Sequence, residues 1–255
     1  MQYGEIYLNK LYHKNEIGFA IFWIVIYVTG ATLTDWLSTL VGLNQIFTFI
    51  FLLTILIFII TWIKKNNLLH VYGLCSPQLP PKKMLYYIPL LILVSTNLWL
   101  GINLNVSIID SIVSALTLLC VGFVEEIIFR GFLFKALEKD NVKTAIVISS
   151  VTFGLGHIIN LFTSQGASIL SNVCQIFYAV AVGFLFVVIF WKGKSLWPCI
   201  LTHSLVNALS IFMNYNNLTA VMEIIISVII IAVAIIYSLI ILRVSKTTES
   251  TQQTI

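Results

Sequence analysis

The chain has 255 residues, 59% of them hydrophobic and 9% charged, with a mean hydropathy of +1.01. Those figures exclude a soluble domain, in which charged residues run near 25%, and they describe an integral membrane protein. The net charge of +4 carries no signature of nucleic-acid binding, because the basic residues are scattered over short connecting stretches.

The first sixteen residues hold Glu5, Lys10, His13, Lys14 and Glu16 ahead of a long apolar run. They lack a short hydrophobic region with a small-residue cleavage site, so they read as retained rather than as a signal peptide. Apolar runs near the roughly twenty residues needed to span a bilayer then appear eight times. They cover residues 17–37, 45–63, 85–104, 108–136, 144–162, 170–191, 196–213 and 220–243. With a cytoplasmic N-terminus, all twelve lysines fall on the cytoplasmic side, together with Arg243. The outer connections (39–44, 104–107, 160–168 and 215–219) have no lysine or arginine. This segregation predicts an all-α polytopic protein of about eight transmembrane helices, in the cell membrane with both termini cytoplasmic.

The longest connection, 66–84, carries Pro77, Pro80 and Pro81 and reads as a turn-rich lid or linker at the membrane surface. Cys75, Cys120, Cys174 and Cys199 show no CxxC pairing, and the last three read as small apolar core residues. The polar tail, 247–255, has no periodicity and reads as unstructured; it ends without a cysteine for prenylation.

Chemistry concentrates in the fourth span, in the stretch 122–133. There Glu125, Glu126 and Arg130 sit inside an apolar run, where each ionisable group costs about 2.5–3.5 kcal/mol at a helix centre. Glu126 and Arg130 are four residues apart and share a face, so they can pair. Glu125 lies about 100° round the helix and cannot share that partner equally, so one carboxylate is left free for chemistry. Asp35, Asp110 and Glu223 fall near outer span ends and receive no role. Gly122, Gly131, Gly154 and Gly156 read as close-packing positions between helices.

The fifth span adds Phe153 and His157, the seventh His203 and Asn207, each pair again four apart. At about 1.5 Å per residue, Glu125 and Asn207 lie roughly 16 Å deep, His157 roughly 20 Å, and His203 and Arg130 near 10 Å. Three helices thus bring polar groups into one slab of the bilayer, an intramembrane site within a four-helix core. An isolated intramembrane histidine or asparagine often serves only as a helix-to-helix hydrogen-bond partner. Together, a free carboxylate, two histidines and an amide can activate water and stabilise an oxyanion. The reading is hydrolysis by attack of water, through a carboxylate base or through a metal held on Glu and His.

At these residues the sequence resembles a known family. Glu125-Glu126-x-x-x-Arg130 with Gly131, Phe153-x-x-x-His157 and His203-x-x-x-Asn207 are similar, in order, to the three motifs of the CPBP intramembrane proteases. That group joins CAAX prenyl endopeptidases with bacteriocin-processing and self-immunity (Abi) proteins, and the resemblance covers about residues 115–212. It implies Glu125 as the base with His157 helping to activate water, His203 and Asn207 as the oxyanion site, and Glu126 with Arg130 holding the geometry. The family has been described both as metal-dependent, which would place a divalent ion such as zinc on Glu125, His157 and His203, and as a glutamate protease. The lack of close ligand spacing favours the metal-free form.

The chain accordingly divides into an N-terminal three-helix membrane region (1–107), a catalytic core (108–213), and a last helix with a polar tail (214–255). The implied function is an intramembrane endopeptidase in bacterial peptide maturation, pheromone processing or bacteriocin self-immunity. Its partners would be the lipid bilayer and a peptide or protein substrate entering from the membrane, with no nucleic acid. The alternatives are a CAAX prenyl endopeptidase, a non-enzymatic immunity or scaffold protein, and a proton-coupled transporter.

Overall fold

The computed structural model describes residues 2–78, 87–105, 107–163 and 168–252. The architecture is all-α, as the apolar runs require when no water is present to satisfy backbone groups. Helix α1 (Gln2–Lys14) leads into α2 (Glu16–Val41), which starts where the Asn15 side chain accepts the Gly18 N–H at 2.9 Å. Gly42 ends α2 at φ 70°, a left-handed conformation that glycine adopts without strain. Helix α3 (Ile46–Lys65) returns, and α4 is described over Tyr87–Ser95 with a 3₁₀ turn, Thr96–Leu98.

The long α5 runs Ile108–Glu126 as α-helix, Ile127–Phe134 as π-helix and Lys135–Glu138 as α-helix again. Next come α6 (Val142–Gly156), extended by a 3₁₀ turn at His157–Ile159, α7 (Ile169–Gly193), α8 (Trp197–Leu209) and α9 (Ala220–Gln252). Asn141 and Ser168 cap α6 and α7 through their side chains. Since α9 continues to Gln252, the tail read as unstructured is instead helical up to that residue.

Among the described residues, six helices are long and apolar enough to cross a membrane, and they match six of the eight expected spans. The third and seventh expected spans are occupied by shorter apolar helices, Tyr87–Leu98 and Trp197–Phe212. The second covers about 24 Å, short of a hydrocarbon core of about 30 Å. Its polar residues are accommodated because it packs on α5 and α4 within the bundle.

Close approach of α8 to α5 depends on Gly122, where a Cβ would lie 2.6 Å from the Ser204 nitrogen. Gly154 similarly lets α6 meet α7 at Val180. Gly131 makes only ordinary contacts and Gly156 has nothing within 4 Å, so neither is a close-packing position.

An aromatic cluster centred on Phe132 locks α1–α3 to the π-helical segment. The Phe132 ring packs edge-on against Phe19, Trp62 and Tyr72 at 4.9, 6.2 and 5.0 Å. Tyr72 belongs to the long connection, whose described part is not a loose lid. It is tied to the α7–α8 corner by Leu196 N–H to Gly73 O at 2.8 Å and Ser195 Oγ–H to Cys75 O at 2.7 Å. Pro80 and Pro81 lie outside the described residues. The four cysteines are free, with Cys120 and Cys199 buried.

Candidate active site

The two glutamates at the end of the first α-helical part of α5 turn to different neighbours. Glu126 Oε1 accepts hydrogen bonds from Arg130 Nη1 at 2.9 Å and from His203 Nδ1 at 2.8 Å. Both members of the Glu126–Arg130 pair are fully buried, at 0% exposure. The guanidinium also sits 4.0 Å from the centre of the Phe153 ring and faces Phe186 at 5.6 Å. Gly183 of α7 leaves room for it, since a Cβ there would come within 3.3 Å of Arg130 Nη2. The i,i+4 pair thus forms as the spacing predicted.

Glu125 faces another way. Its Oε1 accepts the Tyr27 hydroxyl at 2.5 Å, and its Oε2 lies 3.5 Å from His203 Nε2. Oε2 is buried and has no hydrogen-bond partner among the described residues. A carboxylate paired with arginine only accepts hydrogen bonds, so His203 donates from Nδ1 to Glu126, and its Nε2 is turned towards Glu125. His203 therefore bridges the two carboxylates, one neutralised by Arg130 and the other held by a tyrosine.

His157 and Asn207 do not join this hydrogen-bonded set directly. Phe153 packs edge-on against both histidine rings, with centroids 5.5 Å away in each case. His157 begins the 3₁₀ turn after α6 and lines two cavities. One cavity, of about 210 Å³, also reaches Glu125 and Tyr27. The other, of about 100 Å³, also reaches His203 and Asn207. The two cavities share Phe153 and His157, and the other polar residues are divided between their walls.

A metal ion would need ligands that converge. Among the described residues no group of three or more His, Cys, Asp or Glu side chains is arranged to hold one. Of Glu125, His157 and His203, the set a zinc ion would use, only Glu125 and His203 approach each other, with Oε2 and Nε2 3.5 Å apart, and no third ligand is grouped with them among the described residues.

Sequence reasoning missed Tyr27. Its signal was present: eleven residues into α2, at about 1.5 Å each, it lies roughly 16 Å deep, level with the estimate for Glu125. Asp35, given no role, lines the larger cavity, as does Thr48.

Comparisons with known proteins point to the same helices. Residues 107–209 match a family model described as "Type II CAAX prenyl endopeptidase Rce1-like". A Bacillus subtilis (strain 168) protein named "Putative membrane peptidase YdiL" is 31% identical over 100 residues. That match takes in 39% of this chain and spans only 36% of the length of the relative. No solved structure matches the chain. The family-matched segment runs from the Ser107 cap of α5 to Leu209 at the end of α8, and holds all three motif pairs. On that segment, which also carries the three motifs that resemble the CPBP intramembrane proteases, the chain is similar to the Rce1-like endopeptidase family.

Proposed function

We propose that this protein is an intramembrane endopeptidase in which Glu125 activates water to hydrolyse a peptide bond. The observation that carries this reading is the state of Glu125. The Tyr27 hydroxyl holds one of its oxygens, while the other is buried, unpartnered and turned towards His203. A carboxylate held in this way is a base with one oxygen left for a proton.

In the proposed reaction, Glu125 Oε2 takes a proton from a water molecule that His157 helps to hold. The oxygen of that water bonds to the peptide carbonyl carbon. Negative charge moves to the carbonyl oxygen, where Asn207 and the protonated Nε2 of His203 donate hydrogen bonds. The carbon–nitrogen bond then breaks, and Glu125 returns the proton to the departing amine. Glu126 and Arg130 touch no reacting atom; they fix the ring of His203 through Nδ1. This is a glutamate-type mechanism and needs no ligand set.

For the substrate we favour a peptide or protein segment entering from the membrane, in bacterial peptide maturation, pheromone processing or bacteriocin self-immunity. The family description of residues 107–209 supports a second reading, a prenylated CAAX-type peptide. The cell membrane is the proposed location, with both termini cytoplasmic because that placement puts every lysine on one side. Reconstituted protein offered a library of prenylated and unprenylated peptides tests both readings. Cleavage by wild type and none by Glu125→Gln supports the proposal, and cleavage restricted to prenylated members selects the second substrate. No cleavage of any member by wild type sinks the proteolytic reading.

A further inference from the structure

The two cavities that meet at Phe153 and His157 differ in what else lines them. Glu125 lines only the larger one, together with Tyr27, Thr32, Asp35, Thr48 and Asn160. His203 and Asn207 line only the smaller one, whose remaining wall is half aliphatic, with Leu93, Val182 and Ile230 beside Thr96, Gln175 and Thr202. Glu125 and the oxyanion donors therefore line different spaces, with Glu125 Oε2 and His203 Nε2 3.5 Å apart where the two adjoin.

Two residues that line the larger cavity each carry a buried polar atom without a hydrogen-bond partner among the described residues: Glu125 Oε2 and Thr48 Oγ1. The Thr48 side chain belongs to a residue that is 6% exposed, and Glu125 is 8% exposed. A buried hydroxyl left unpaired is destabilising, and an unpaired carboxylate oxygen more so. Both residues line a space of about 210 Å³. One water occupies about 30 Å³ of liquid, so several fit, and the wall supplies the polar partners they need. At the other end Asp35 is exposed, near the outer end of α2.

From this we infer that the larger cavity is a water-binding channel between α2, α3, α5 and α6, supplying the attacking water to Glu125 from the Asp35 end, while the peptide chain occupies the smaller cavity. The channel rests on the proposed hydrolysis and adds to it a separate route for the second reactant. Water and peptide reach the reacting carbon from opposite sides of the Phe153–His157 wall. Thr48 and Thr32 lie outside residues 107–209, so the N-terminal helices contribute to the chemistry as well as to packing.

The two spaces predict opposite kinetic signatures. Ala31 lines the larger cavity, and Ala31→Ile narrows it with an apolar group. It should lower kcat at least tenfold and leave KM within twofold. Val206 lines the smaller cavity, and Val206→Phe should raise KM at least fivefold. Thr48→Val, close in volume but without the hydroxyl, provides the kcat test should Ala31→Ile fail to fold; it should lower kcat at least threefold at unchanged KM. A raised KM with intact kcat in the Ala31 or Thr48 variant would make the larger cavity a peptide site and overturn the inference, as would wild-type values of both. These outcomes, obtained while wild type cleaves and Glu125→Gln does not, remove the channel alone. Failure of wild type to cleave any peptide removes the hydrolytic reading and the channel with it.

Discussion

Replacing Glu126 by glutamine keeps the shape of the side chain and removes its charge. The residue and its partner Arg130 have no solvent exposure, and one oxygen serves both Arg130 at 2.9 Å and His203 at 2.8 Å. Breaking a buried ion pair by removing one partner costs about 3–5 kcal/mol, because the surviving charge is uncompensated. The Phe153 ring under the guanidinium at 4.0 Å offsets part of that, up to about 2 kcal/mol for a desolvated cation on an aromatic face. The expected loss is therefore about 1–5 kcal/mol. At about 2–4 °C per kcal/mol for a chain of this size, the detergent-solubilised variant should melt roughly 2–20 °C lower. Tryptophan fluorescence on heating reads this, since the chain has 6 tryptophans. The double variant Glu126→Gln with Arg130→Met removes both charges and should recover much of the loss. A single variant as stable as wild type, or a double variant less stable than the single one, would refute the reasoning.

Three further outcomes follow from the same geometry. Tyr27→Phe deletes one buried hydrogen bond to Glu125, a contribution of about 1.5–3 kcal/mol, and should lower kcat roughly 10–100-fold and the melting temperature by roughly 3–12 °C. Asn207→Ala should reduce the catalytic rate by about 10²–10³ and leave substrate binding nearly intact; chelators should have little effect on wild type, and metal analysis of the active protein should find no stoichiometric ion. Cysteine labelling should place the 160–168 connection outside and both termini inside the cell; labelling of 160–168 from the cytoplasm would contradict the lysine-based topology.

Much of this arrangement was readable from residue spacing, because helix periodicity fixes what residues four apart can do. The Glu126–Arg130 pair, the Phe153–His157 ring contact and the shared cavity of His203 and Asn207 all follow from it. Spacing within one helix says nothing about which helix stands opposite, so the hydrogen bond from Tyr27 and the Glu126–His203 bond were out of reach. A tyrosine in an apolar run reads as aromatic filler unless its depth is compared with that of the carboxylates. The π-helical turn at Ile127–Phe134 was equally hidden, since an apolar run carries no mark of a wider backbone. π-Helical turns occur often at functional sites, and here every residue of the turn is buried just after the two glutamates. The seventh span read as full length because hydropathy counts apolar residues, whereas α8 is short and shielded by its neighbours.

The role of Glu125 is tested by its own conservative replacement. Wild type and Glu125→Gln, reconstituted side by side in liposomes with a peptide that wild type cleaves, should melt within a few degrees of each other. Product formation, followed by mass spectrometry, should fall about 10²–10⁴-fold in the variant, the range expected when a general base is removed. A folded Glu125→Gln protein that cleaves the same bond at the wild-type rate would contradict the account.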